Sequence, residues 1–135
     1  MRYILICAIL FSCTAETPII RDQNITELLE EVESSLARHD LIIGLSNENL
    51  YFDPLPYPRI LVHNHETHSI IADPVRFNKL SRNDKLVALT HEVGHHIGLD
   101  HCEDCHGNIM SEKLSRISPD SAFNQLSFLY QSITP

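Results

Sequence analysis

The stretch His91-Glu92-Val93-Gly94-His95-His96-Ile97-Gly98-Leu99-Asp100-His101 decides how this chain is read. On a helix, His91 and His95 fall on one face about one turn apart, where two imidazoles can grip one metal ion. Glu92 then projects beside the ion rather than onto it. Gly98 follows nearly one turn later, and glycine readily takes the left-handed conformation that ends a helix and turns the chain. In a continued helix His101 would sit too far along the axis to help. With a bend at Gly98 it returns as a third ligand. Three neutral imidazoles leave one tetrahedral position on zinc for water. Glu92 is placed to take the proton of that water and hand it to a leaving amine.

His-Glu-x-x-His-x-x-Gly-x-x-His is the zinc signature of the metzincin metallopeptidases, and every fixed position is matched here. The ending Gly98-Leu99-Asp100-His101 looks most like the matrixin branch. Metzincins also carry a methionine in a tight turn below the metal, and Asn108-Ile109-Met110, nine residues after His101, resembles that Met-turn. The resemblance is strong over about residues 81–112 and only architectural upstream. It implies an α+β, small zincin domain: an N-terminal helix, a short mixed sheet with a hairpin, an active-site helix, a Met-turn and a C-terminal helix. It also implies a zinc endopeptidase acting on protein or peptide substrates. One catalytic Zn2+ would be held by His91, His95 and His101, with Glu92 as general base and Gly98 and Met110 supporting the site. The alternative from another class is a non-catalytic zinc-binding envelope lipoprotein.

The chain departs from the family pattern in places. Met110 is followed by Ser111-Glu112-Lys113 rather than the matrixin Pro and Tyr, so pocket preference does not carry over. Glu112 stands where astacin-like and serralysin-like branches place a zinc-binding Tyr. The only upstream cysteines are Cys7 and Cys13, so no cysteine switch is expected. Cys102-Glu103-Asp104-Cys105 follows the third ligand directly. It reads as a small disulfide ring or as a pair of thiols forming a metal half-site. No cysteine follows Cys105, so the four-cysteine site of archaeal-type metzincins is not available.

Outward from this centre, Ser81-x-x-Asp84 resembles a capping box and starts a helix expected over about 82–97. Ser118-Pro119-Asp120 starts another, with Phe123, Leu126, Leu129, Tyr130 and Ile133 as its apolar stripe. Asn24 reads as the N-cap of a helix over about 25–38. Leu41 to Leu45 reads as a buried strand, while Pro54, Pro56 and Pro58 exclude helix from 46–58. Arg59 to His63 and Ser69 to Ala72 suggest a hairpin over 59–72, ended by Asp73-Pro74. Its strand near 69–72 is expected to lie outermost and to pair with an extended substrate. His63, His65 and His68 cluster in this hairpin, as a second metal site, a substrate contact or a solvated turn. His96 points about 100° away from its ligand neighbour; it, His39 and His106 read as non-ligands.

The chain of 135 residues is long enough for one domain. Eighteen acids against ten bases argue against a nucleic-acid binder. Arg2 followed by the apolar run Ile4 to Phe11 has the shape of a secretory signal and is too short to span a bilayer. Leu10-Phe11-Ser12-Cys13 resembles a relaxed bacterial lipobox. Residues 1–12 are therefore expected to be removed, Cys13 lipidated, 13–24 a tether and 25–135 the domain. The protein is expected to be an exported monomer, lipid-anchored in a bacterial cell envelope rather than membrane-spanning.

Overall fold

The computed structural model describes residues 23–45, 48–114 and 116–135. The expected signal, the lipobox with Cys13 and most of the tether lie outside the described residues. The architecture is α+β. Helix α1 (Gln23–Arg38) precedes strands β1 (Asn49–Phe52), β2 (Leu61–Asn64) and β3 (Ser69–Ala72). Helices α2 (Pro74–Lys79), α3 (Arg82–His96) and α4 (Pro119–Ile133) follow.

Helix α1 buries Ile25, Leu29, Val32 and Leu36, one face at three- and four-residue spacing. It begins at Gln23, so Asn24 is inside the helix rather than its N-cap. Leu41 to Leu45 is not a strand. Leu41, Ile43 and Leu45 are buried while Ile42 is 88% exposed, so the segment alternates as a strand does, without hydrogen-bonding into a sheet. It reaches the core simply because the chain passes along it there.

The sheet is mixed, in the order β1-β3-β2. β2 and β3 form the expected hairpin, antiparallel, with Leu61 opposite Ala72. β1 pairs parallel with β3, Asn49 opposite Ser69. β3 is thus the central strand, not the outermost one, and both of its edges are occupied. The free edge on the hairpin side belongs to β2. β1 was hidden within a proline-rich region, and α2 behind a dipeptide read only as a strand end. Asp73 caps α2: its carboxylate accepts from the Val75 and Arg76 amides at 3.1 and 2.9 Å. It also accepts from the Leu55 amide at 3.0 Å.

Helix α3 packs against α1, α4 and β2. That enclosure explains why four consecutive residues, His91 to Gly94, are all buried. A surface helix would expose part of such a run. The core is formed by Leu86, Val87, Leu89 and Val93 of α3 with Leu50 and Ile70 of the sheet and Ala122, Phe123 and Leu126 of α4. Among the described residues no helix is long and apolar enough to cross a membrane.

Candidate metal centre

Ser81 opens α3 from a β conformation, its hydroxyl accepting the Asp84 amide at 3.1 Å. The helix then carries His91 and His95 up on one face. It ends where Gly98 adopts φ of +93°, a region that side chains rarely enter. The Leu99 amide donates to Gly94 O at 2.9 Å and the Gly98 amide to His95 O at 3.0 Å. These are the paired bonds of a Schellman turn. The turn also sets Leu99 O to accept His95 Nδ1 at 2.8 Å, and it sends the chain back so that His101 faces the helix.

The result is a triangle. Nε2 of His91, His95 and His101 stand 3.1 Å from one another in all three pairs. His91 Nδ1 lies 2.6 Å from Ile109 O. A carbonyl only accepts, so Nδ1 of both His91 and His95 must carry the proton, which leaves Nε2 as a bare lone pair in each neutral ring. Both rings are held neutral. Burial pushes His91 down to about 4, against the opposing effect of its bond to Ile109 O. Burial also lowers His95. At least two lone pairs therefore converge on one point, where a metal cation would be well placed to accept them. A triangle of this edge has a radius of about 1.8 Å, just inside the roughly 2.0–2.1 Å of a zinc–imidazole bond, so one ion can touch all three nitrogens.

Glu92 is 6% exposed, and burial raises its carboxyl to about 7 against a stabilising hydrogen bond from the His63 backbone. This contact sets Glu92 against β2. A cleft of about 700 Å³ runs between the two elements. Pro58 to His63 form one wall; Glu92 and the three imidazoles form the floor, with Glu112 and Leu114 opposite.

Beneath α3, Met110 is 2% exposed. The Ser111 amide bonds Asn108 O at 3.1 Å, closing a tight turn that holds Met110. Asn108 Oδ1 accepts the Met110 amide, and Gln125 of α4 holds the Ile109 amide at 2.7 Å. Gly94 was not singled out from the sequence, yet it makes the fit. A Cβ there would stand 2.2 Å from Met110 Sδ. Cys102 and Cys105 are joined by a disulfide. The Cys102 amide bonds Met110 O at 2.8 Å, linking the residue after His101 to the turn.

The remaining histidines divide. His106 lies among the exposed loop residues and His39 pairs with Asp120 at 3.4 Å. His63, His68 and His96 instead surround Glu48, a residue with no local motif to announce it. The fold and site thus define an α+β chain in which, among the described residues, two groups could hold a metal ion: the three histidines His91, His95 and His101, and Glu48 with His63 and His96. Set against family models, curated proteins and solved structures, the chain matches none.

Proposed function

We propose that this chain is a zinc-dependent endopeptidase of the metzincin type, with His91, His95 and His101 as its ligands. The observation that carries this reading is the 3.1 Å convergence of three imidazole nitrogens on the floor of an open cleft, with a buried carboxylate beside them. Zinc held by His91, His95 and His101 would supply Lewis acidity here, making a water acidic towards pH 7 rather than about 15.7 and polarising a peptide carbonyl. Glu92 would take a proton from the attacking water and deliver it to the departing amine, giving one carboxylate and one amine for each water consumed.

The substrate lies along β2. The His63 amide is turned away from β3 towards Glu92, and alternation along an antiparallel strand turns the Leu61 backbone the same way. Leu61 therefore offers free backbone groups to an extended peptide. Gly98 and Met110 act on the metal through His101 and through the floor of α3. Export and lipid attachment at Cys13 belong to the same proposal, and a globomycin-sensitive change in size tests them.

The decisive experiment compares the full chain with Glu92→Gln on a denatured protein and a broad peptide library. Both proteins should bind zinc, and only the wild type should cleave. Zinc binding by both with cleavage by neither replaces the peptidase with a zinc-binding module.

A further inference from the structure

Glu48 is 1% exposed, and its ion-pair partners among the described residues are all histidines. Its Oε2 lies 3.1 Å from His63 Nε2. Its Oε1 lies 2.8 Å from His96 Nδ1 and 3.4 Å from His68 Nδ1. Yet Oε1 makes no hydrogen bond, and neither does the buried His63 Nδ1. The imidazole nitrogens crowd Oε1 without lying along a hydrogen-bond axis. A carboxylate this deeply buried costs several kcal/mol unless a cation neutralises it. Nitrogen and oxygen donors that converge off-axis are what a shared ion would satisfy.

We propose that Glu48, His63 and His96 form a second metal site for a first-row transition ion such as zinc. Its role is structural. Imidazole donors disfavour calcium and magnesium, which prefer all-oxygen shells. Glu48, His63 and His96 supply one carboxylate and two imidazoles, three protein ligands whose atoms all lie within 4.8 Å of one another. His68 Nδ1 lies 3.4 Å from Glu48 Oε1 but outside that group, with its side chain 67% exposed. The ion would pin together the approach to β1, the edge strand β2 and the last turn of α3. The His63 side chain takes part here while its backbone bonds Glu92, and His96 is the neighbour of His95. The second ion would therefore fix the wall of the cleft against its floor. This inference does not depend on the peptidase reading, since the two groups share no residue.

Co2+ binding to the full-length protein tests it, by elemental analysis and by visible absorption. Wild type should take two ions per chain. His96→Ala and Glu48→Gln should each take one, with affinity for the lost ion reduced more than about 100-fold. His101→Ala should also take one, and its combination with His96→Ala none. Circular dichroism reports folding, and Glu48→Gln, which preserves shape, serves if His96→Ala does not fold. The inference is overturned if His96→Ala and Glu48→Gln bind as many ions as wild type with an unchanged spectrum. It is equally overturned if wild type binds a single ion that only His101→Ala removes. A single ion lost in His96→Ala and kept in His101→Ala would uphold this site and sink the peptidase reading instead.

Discussion

Replacing Glu92 by Gln should stabilise the metal-stripped protein, and by an amount that depends on pH. Burial raises this carboxyl from 4.5 to about 7 in the folded chain. Between those values the folded state holds a proton that the unfolded state has released, so stability falls as pH rises through the window. Above it the penalty is complete, at about 3 kcal/mol. Glutamine has the same shape, stays neutral, and still offers an oxygen to the His63 amide. In chelator at about pH 8, Glu92→Gln should therefore melt on the order of 10 °C above wild type. The gap should close towards about pH 4.5, where both side chains are neutral. Lowered histidines such as His91 are common to both proteins and cancel in the comparison. Zinc should shrink the gap at high pH, because a cation beside Glu92 favours its ionised form. Thermal melts followed by circular dichroism read all of this. Equal melting temperatures at high pH, or a gap that does not vary with pH, would refute the account of a burial-raised base.

Gly94→Ala should destabilise the fold by about 1 kcal/mol net. The clash with Met110 Sδ at 2.2 Å outweighs alanine's higher helix propensity of about 1 kcal/mol, and a urea curve showing a more stable variant would overturn this. Gly98→Ala, at φ of +93°, should cost about 1–2 kcal/mol and weaken zinc binding, because the turn that returns His101 is strained. Calorimetric titration beside a melt separates the two effects, and unchanged affinity would show that His101 does not rely on this turn. Hydrogen bonds from the Arg76 and Leu55 backbones hold the Asp73 carboxyl below its ordinary range. Its contribution is therefore present above that range and lost as pH falls through the lowered value. Asp73→Asn should be the less stable protein near neutrality and converge with wild type in acid; parallel curves would count against the cap.

The helices and the first histidine group were legible because their signals are local. Caps such as Ser81 and Ser118 and the spacing of His91 and His95 lie within a turn or two of what they control. α2 carries the same kind of signal, an aspartate cap followed by proline at the first helical position, but Asp73-Pro74 fits the end of the preceding strand equally well. β1 was not legible, because each of its residues pairs in parallel with one twenty positions further along the chain, on β3. Leu41 to Leu45 misled for the complementary reason. An apolar run shows that a segment is buried, but not whether a neighbouring strand exists to pair with it. Glu48 illustrates the limit of pattern reading, since one carboxylate becomes meaningful only once three separate elements bring histidines to it.

The placement of β2 at the margin of the sheet bears on self-association. A strand edge that welcomes an extended peptide would equally welcome the same edge of another copy, the first step towards aggregation. Here the exposed ladder is only four residues long, and Pro58 shortly before it has no amide to offer. The His63 amide is already committed to Glu92. On the proposed reading a brief guest strand docks beside His91, His95 and His101, while an extended sheet between copies finds too few backbone groups to grow.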